Sequence, residues 1–476
     1  MKQDPIINNP ELKRNAWLEI SIGRLVVMPI ILSAVFLLAY VMSDSNSSTE
    51  LAENLQGWSL TMFGLIVLVW GSKQASEAVL GEINDRTWDL QRLTLINPWV
   101  MSIGKLFGST IYSWYGGGLC LLVYIWSSLL LPQLDTSLKG GLAVGMACIF
   151  VHATVISMSL TGARKNRSAG KVKSTFYFMI ALLIGGYLFS VLVGIFEYKP
   201  DRMHWYNIEV VAKDFTVLSV FCFMCWAILG LYRNMRTELQ YRNGPWVWYG
   251  FLTFIIAYSL GFVNQDTTNS VSLITPLRYY LALGITVALT YYMVFSESKY
   301  IVDFRQLLDY FKTSRYKLLL HSAPIWLLTM FFLIPLSFTG VILYVSDPYF
   351  SIEGEMAITY PLTVLCFVVR DICFLIYINL AEKSKRADLA TFVYLLLLYA
   401  LIPSILSLMD ANVVTLVFLP MPIADVTHGS LMGIVPVVIQ VALIGYLLSK
   451  RYKKRNQGIE QSTARETTEN LPPPLT

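Results

Sequence analysis

The sequence predicts an all-α, polytopic membrane protein of about twelve transmembrane helices in two six-helix halves, with both termini cytoplasmic. Composition is the first observation, because 55% of the 476 residues are hydrophobic and 14% are charged. The second is that apolar residues form blocks of roughly 18–25 residues, the helical length that crosses about 30 Å of hydrocarbon. The third is the alternation of Lys and Arg between successive loops. These observations exclude a soluble globular chain, a disordered chain and a secreted disulfide scaffold.

The apolar blocks give twelve candidate spans, of which the third and the ninth are long enough to tilt or break. In chain order they cover residues 25–42, 57–72, 103–131, 138–161, 174–196, 210–232, 247–263, 273–295, 318–345, 357–380, 388–408 and 430–449. The resulting segments are a cytoplasmic or interfacial N-terminal segment (1–24), a first half (25–232), a cytoplasmic linker (233–246), a second half (247–449) and a basic stretch with a disordered tail (450–476).

The loop charges set the orientation. With the N-terminus in the cytoplasm, most of the 36 Lys and Arg residues fall in cytoplasmic loops, as the positive-inside rule requires. The outward loops are short, acidic and polar. A wrong number of spans would scramble this alternation. We therefore predict a multi-pass protein of a bacterial inner membrane with lipids as partners, in which the net charge of +5 reflects the inner loops and not nucleic-acid binding.

No catalytic or metal site is predicted. All six cysteines lie in apolar blocks, and Cys222-x-x-Cys225 is interpreted as two small side chains on one helix face. The four histidines lack metal-ligand spacing. Gly104-Lys105 and Gly170-Lys171 lack the glycine spacing and the Ser or Thr of a phosphate-binding loop. We expect no cofactor on this chain, and any ATP-driven step would need a separate ATPase.

Three ionisable residues deep within predicted spans are informative: Arg370, Asp371 and His152. Arg370 and Asp371 lie near the middle of the tenth span, where a charge costs a few kcal/mol and must face protein or water. As sequence neighbours they are not expected to face each other along a helix, so each needs a partner of its own. Two interpretations stay open: a polar lining for a substrate path, or a buried pair that locks helices together. His152, in the fourth span, is either part of such a path or a core histidine.

Each half has one long cytoplasmic loop at the same place, after its second span. The first long loop (residues 72–105) contains a coupling-type helix over about 77–98, with Glu82 and Arg86 at i,i+4. The second long loop (residues 296–317) contains an amphipathic helix over about 298–317 that is expected to lie in the membrane interface. Matching loops at matching places indicate an internal duplication.

The first long loop resembles the permeases of type-2 ATP-binding-cassette (ABC) exporters. In that family an acidic and basic cytoplasmic helix leads to a proline and then to a Gly-Lys pair at the head of the third span. The counterparts here are Glu82, Arg86, Thr87, Asp89, Leu93, Asn97-Pro98 and Gly104-Lys105. This chain departs from the pattern at Trp88 and Asp89 and at Asn97 before the proline. Residues 9–24 would correspond to the family's elbow helix.

The resemblance implies a permease subunit that is powered by separate ABC-type ATPase subunits, two per permease, which bind ATP and Mg²⁺. A second permease chain is a further possible partner. Charged residues of the two long loops would dock on the ATPases and transmit their motion. These residues are Glu82, Asp85, Arg86, Asp89 and Arg92 in the first loop and Asp303, Arg305 and Asp309 in the second.

Two alternatives share the same layout. A secondary transporter of the major facilitator type also has two sets of six spans, and Gly81-x-x-x-Asp85-Arg86 matches the start of its loop motif. Trp88 and Asp89 stand where that motif continues with a glycine and basic residues. A non-transporting membrane scaffold is the third class. Of these three classes only the exporter permease requires a cognate ATPase, so the presence of such an ATPase distinguishes it from both alternatives.

Overall fold

The computed structural model is that of an all-α, multi-pass membrane protein. It describes residues 8–43, 48–94, 96–165, 173–198, 202–206, 208–262, 271–297, 299–346, 360–381, 387–415, 417–420 and 430–469. In these ranges ten helices are long and apolar enough to cross a membrane, or eleven if one bent pair counts as a single span. The predicted span at 247–263 is an apolar helix of 15 residues, Trp246–Leu260.

The chain divides into two compact units, Met1–Asn243 and Gly244–Thr476, and the division falls within the predicted linker at 233–246. The first unit contains α1 (Pro10–Glu19), α2 (Ile22–Met42), α3 (Ser48–Phe63), the π-helix π1 (Gly64–Trp70), α4 (Gly71–Glu77), α5 (Leu80–Asn84), α6 (Trp88–Arg92), α7 (Pro98–Gly108), α8 (Ile111–Ser128), α9 (Leu134–Lys165), α10 (Ser174–Tyr198), β1 (Arg202–Trp205), β2 (Ile208–Val211) and α11 (Ala212–Glu238). The strands pair antiparallel, with Arg202 opposite Val211.

Two Asn-Pro pairs begin α1 and α7. The side chain of Asn9 accepts hydrogen bonds from the main-chain N–H groups of Glu11 and Leu12 at 3.0 and 3.1 Å. Asn97 caps α7 in the same way, with its Oδ1 2.9 Å from the N–H of Trp99. Proline suits the first helical position because its missing N–H would have no partner there. The Asn-Pro pair therefore marks the first turn of both helices.

The third predicted span is broken, as its length allowed. The axes of α7 and α8 differ by 58°. At the break the hydroxyls of Ser109 and Thr110 bond to the carbonyls of Lys105 and Leu106, each at 2.7 Å. Thr110 then leaves the helical region of backbone space. Side-chain hydroxyls that compete for helix carbonyls bend helices, so the break follows from local sequence.

The core of the first unit forms around α9, which packs against α4, α10 and α11. Its buried face is made of small and branched side chains such as Ala147, Val151 and Val155. Small residues let helices approach closely within a membrane. This packing places the ends of α4, α7 and α11 nearest the first long loop in one region, where the candidate site lies.

The second unit contains α12 (Trp246–Leu260), α13 (Val271–Ser296), α14 (Ile301–Lys312), α15 (Tyr316–Ser322), α16 (Ile325–Ser346), α17 (Tyr360–Asn379), α18 (Ala387–Leu396), the π-helix π2 (Leu397–Leu401), α19 (Ile402–Leu408), α20 (Asn412–Thr415) and α21 (Ser430–Glu469). The ninth predicted span is broken between α15 and α16. In the core, α17 packs against α16, α18 and α21.

The C-terminal region differs from the prediction. Helix α21 continues to Glu469, through residues 450–469 where the sequence predicts a basic stretch and a disordered tail. Lys, Arg, Glu and Gln dominate that stretch, and all four are good helix formers. The proline run begins later, in residues 470–476, which lie outside the described residues.

Candidate functional site

A buried lysine joins three segments of the first unit. The Lys105 side chain of α7 is 1% exposed, and its Nζ lies 2.7 Å from Glu11 Oε1 of α1. The same ammonium contacts Glu82 Oε2 of α5. Glu11 and Glu82 are themselves 4% and 18% exposed. Buried charges persist in proteins when they are paired, so Lys105 fixes α1, α5 and α7 relative to one another.

Arg14 and Gln91 complete this group, which we call the Lys105 cluster (Glu11, Arg14, Glu82, Gln91 and Lys105). Arg14 Nη2 lies 2.9 Å from Glu11 Oε1 and also contacts Glu82. Gln91 Nε2 donates to Glu82 Oε1 at 2.8 Å. Two cations face two carboxylates, so the cluster is neutral. Gln91 belongs to α6, so the cluster holds both short helices of the first long loop.

The face of α1 that packs against α7 is polar, and its close approach requires glycines on α7. A Cβ atom at Gly104 would lie 2.6 Å from Glu11 Cβ, and one at Gly108 would lie 2.9 Å from Asn15 Nδ2. Both distances are too short for a side chain. The glycine of the Gly-Lys pair thus permits the close approach of α1, and the lysine beside it supplies the charge that holds α1 there.

We expect Gly104→Leu to displace α1 from α7, because the added side chain overlaps Glu11. Overpacking of this kind costs about 1–3 kcal/mol. Faster tryptic cleavage after Lys13 or Arg14 of the purified chain would report the displacement. Gly118→Leu is the matched control, since Gly118 lies in the neighbouring α8 and its Cβ would meet nothing within 4 Å. Equal cleavage of the two variants would contradict the role given to Gly104.

The first long loop is not one helix. The predicted helix over 77–98 is divided into α5 and α6, each of five residues. Arg86 lies between them at φ 59°, in the left-handed conformation that ends many helices. The predicted i,i+4 pair of Glu82 and Arg86 is therefore wrong, since a left-handed residue points away from the helix face. Glu82 bonds within the Lys105 cluster, while Arg86 is exposed.

The outer face of this loop is both charged and apolar. Asp85, Arg86 and Asp89 are exposed. Leu90 and Leu93 of the same loop are 68% and 81% exposed. Leu93 was identified from the sequence only as a counterpart in the loop motif, and Leu90 was not singled out. Exposed leucines within a charged rim form a surface suited to a protein partner.

Arg92 has a structural role that the sequence did not indicate. Its Nε donates to the main-chain carbonyl of Glu238 at 3.0 Å, and its Nη1 is 3.4 Å from Asp89 Oδ1. Arg164 of α9 lies 3.0 Å from Glu238 Oε1. Cations at the end of a helix stabilise its exposed carbonyls. The first long loop is thus tied to the C-terminal end of α11 as well as to α1 and α7.

The second long loop places its predicted residues differently. Asp303, Arg305 and Asp309 lie on α14, which buries Ile301 and exposes most of its other side chains. Partial burial raises the pKa of the Asp303 carboxyl, and a hydrogen bond from the main chain of Tyr300 opposes this effect. Immediately before α14, the Lys299 side chain is 1% exposed and lies 3.4 Å from Asp388 Oδ1, so a buried lysine anchors this loop as well.

Arg370 and Asp371 form one network with three other side chains. The two are bonded directly, with Arg370 Nε 2.8 Å from Asp371 Oδ1, so the prediction that they cannot pair is wrong. The long arginine side chain folds back along α17. Arg370 also donates to Gln440 of α21 at 2.7 Å and to Tyr399 of π2 at 2.9 Å. Tyr291 of α13 and Tyr399 both donate to Asp371 Oδ2 at 2.6 Å.

This arrangement satisfies the whole ion pair. All three guanidinium nitrogens of Arg370 and both carboxylate oxygens of Asp371 have hydrogen-bond partners. Four helical segments meet there. Fully bonded buried networks rigidify a core, so the contacts favour the helix-locking interpretation over a substrate path.

His152 is fully buried in the first unit. Its Nε2 lies 2.9 Å from the carbonyl oxygen of Val67 in π1. A Cβ at Gly71 would lie 2.8 Å from the imidazole, so the ring is closely packed. Each of the two π-helices among the described residues therefore contacts a side chain that the sequence analysis singled out. His152 contacts π1, and Arg370 contacts π2. These contacts make His152 a core histidine.

Comparison with known protein families, curated proteins and solved structures gives no match to this chain. The geometry of its own residues is therefore the basis for any function. In the described part of the chain, no three His, Cys, Asp or Glu side chains come together as metal ligands.

The sequence identified Glu82 and Lys105 without showing that they touch. Glu11, Arg14 and Gln91 were missed altogether. A signal was present, since Glu11 and Asn15 lie on one face of the predicted N-terminal helix (i,i+4), opposite Trp17. A polar face next to a Gly-Lys pair could have indicated a buried ion pair.

Proposed function

We propose that this chain is the membrane-spanning permease subunit of an ATP-driven ABC exporter. It works with separate ATPase subunits, two per permease, that bind ATP and Mg²⁺ in the cytoplasm. The chain crosses a bacterial inner membrane twelve times with both termini inside. In this proposal Trp246–Leu260 is the seventh span, and its 15 residues cover about 22 Å before the chain continues beyond Leu260.

The observation that carries the proposal is the way the first long loop is held. Lys105 and Arg14 bind the loop to α1 and to the head of α7. Arg92 binds it to the end of α11. A loop that only connected two spans would need no such attachments. A loop that receives force from a partner needs them, because the force must reach the spans without being lost in local motion.

The path of that force is short. A partner that pushes on α5 and α6 moves α7 through Glu82 and Lys105, and α7 continues into α8 through the 58° bend. The same push reaches α1 through Glu11. Asp85, Arg86 and Asp89 remain free of the Lys105 cluster and are exposed, so they can pair with charges of an ATPase cleft. In the second unit, the exposed Asp303 and Asp309 and the half-buried Arg305 of α14 would contact the second ATPase.

Charge reversal of the first docking surface tests this proposal. We expect the triple variant Asp85→Lys, Arg86→Glu, Asp89→Lys to lose the ATPase in a detergent pull-down while keeping the melting temperature of the unchanged chain. All three side chains are exposed, and the exposed ion pair of Asp89 with Arg92 that is lost is worth less than about 1 kcal/mol, so reversal repels the partner without disturbing the core. The variant Asp303→Lys, Arg305→Glu, Asp309→Lys tests the second unit, and Asp135→Lys, at the opposite end of α9, is the control.

The measurement is mass identification of the co-purified proteins together with ATP hydrolysis. A chain that purifies without any ATP-binding subunit would refute the proposal and favour a secondary transporter or a scaffold. Retention of the ATPase by both triple variants would refute the assigned docking surfaces.

A further inference from the structure

A cavity lies where the membrane-crossing helices of the second unit end. It has a volume of about 320 Å³ and is lined by Lys299, Tyr300, Ile301, Val302, Asp303, Asn379, Leu380 and Arg455. Candidate spans of α13 and α17 end at Ser296 and Asn379, and the span of α21 extends to Gln457. The cavity therefore lies at the depth of the lipid headgroups, beside the last residues of three spans.

The cavity is lined by cations that are held in place by the fold. Arg455 Nη1 donates to the carbonyls of Leu380 and Ala381 at 2.6 and 3.3 Å. No carboxylate pairs with Arg455 among the described residues. Lys299 is buried and lies 3.4 Å from Asp388 Oδ1. Asp303 lines the same cavity without forming an ion pair with Arg455, so the guanidinium can meet an anion there, and planar guanidinium groups suit phosphate oxygens.

The rim of the cavity is apolar and exposed. Tyr300 and Val302 line the cavity and are 67% and 63% exposed. Leu308 and Phe311 of α14 are also exposed apolar side chains, on the other side of this helix from Val302. An amphipathic helix with uncovered apolar side chains and nearby basic residues is typical of an element that lies in the membrane interface. The rim is therefore suited to acyl chains and the wall to a phosphate.

From these contacts we infer that the cavity binds the phosphate headgroup of a glycerophospholipid. The phosphate meets the Arg455 guanidinium, and the Asp303 carboxylate accepts a hydrogen bond from a headgroup hydroxyl. The acyl chains lie against the exposed apolar side chains at the rim, Tyr300 and Val302. A bound lipid would fasten α14 to the ends of α13, α17 and α21, a role that the Lys105 cluster fulfils in the first unit. This inference requires membrane insertion only and is independent of the proposed ATPase.

The test is a titration of the purified full-length chain, in neutral detergent, with fluorescent phosphatidylglycerol. We expect Arg455→Gln to raise the Kd about tenfold, because a charge-assisted hydrogen bond is lost. Arg455→Lys keeps the charge and most of the affinity. Arg451→Gln is the matched control: Arg451 lies one turn earlier on α21, donates to the carbonyl of Tyr377 at 2.7 Å, and does not line the cavity.

Val302→Glu gives a second variant that leaves the contacts of Arg455 intact. It adds a carboxylate at the exposed mouth and is expected to weaken binding to a similar extent. Equal Kd values for Arg455→Gln and Arg451→Gln, or an unchanged Kd for Val302→Glu, would overturn the inference. Displacement of the lipid by an equal concentration of glycerol 3-phosphate would also overturn it, since the site would then bind soluble phosphates.

Discussion

Replacement of Lys105 by Met is expected to destabilise the first unit by about 3–5 kcal/mol, because it leaves two carboxylates buried and short of a cation. Glu11 is 4% exposed and Glu82 18%, so water cannot replace the ammonium. Arg14 remains beside both carboxylates and cannot neutralise both. The melting temperature of the chain in detergent measures the effect.

Two further variants separate lost charge from lost packing. Adding Glu11→Gln and Glu82→Gln to Lys105→Met removes the unpaired charges and is expected to restore part of the stability. Lys139→Met is the matched control, since Lys139 forms ion pairs with Asp135 and Asp214 at the solvent-facing start of α9, and we expect little change there. A Lys105→Met chain that melts like the unchanged protein would show that the cluster does not hold α1, α5 and α7 together.

Replacement of Arg370 by Met is expected to have an effect of similar size, about 3–5 kcal/mol, in the second unit. Asp371 would stay buried with two tyrosine donors and no cation, and Gln440 would lose its partner. Because the network joins α13, α17, π2 and α21, its loss is expected to lower the melting temperature of the whole unit.

The double variant Arg370→Met, Asp371→Leu distinguishes the two interpretations of this pair. If the pair locks helices, the double variant recovers much of the stability, since apolar replacements of a buried ion pair are often nearly neutral, and function is retained. If the pair lines a substrate path, the double variant is stable but inactive. The complete hydrogen bonding of both side chains leads us to expect the first result.

The sequence predicted the features that depend on local composition. Hydropathy located the helices, the length of the third span allowed for a break without placing it at Ser109 and Thr110, and the loop motif singled out Glu82 and Lys105. Hydropathy alone did not show that the seventh block forms a helix of 15 residues. The short hairpin of β1 and β2 was missed because its eight residues lie within polar loop sequence and the start of an apolar block.

Features that depend on distant contacts could not be predicted. Lys105 and Glu11 are far apart in sequence, and one sequence does not show which acid a lysine meets. The left-handed Arg86 and the two π-helices arise from how segments fit together, with no residue pattern that marks them. The direct bond between Arg370 and Asp371 was missed because helical geometry was applied to Cβ positions, whereas a long arginine side chain reaches its neighbour.

Site-specific photocrosslinking in cells tests the central claim most directly. A photoreactive amino acid at Leu93, which is 81% exposed on the first long loop, is expected to crosslink one ATP-binding polypeptide. The same label at Leu37, an exposed residue of the apolar helix α2, is expected to crosslink none. An ATPase captured from Leu93 alone would place a nucleotide-driven partner against this loop. Failure to capture an ATP-binding protein from Leu93, or equal capture from Leu37, would contradict the account.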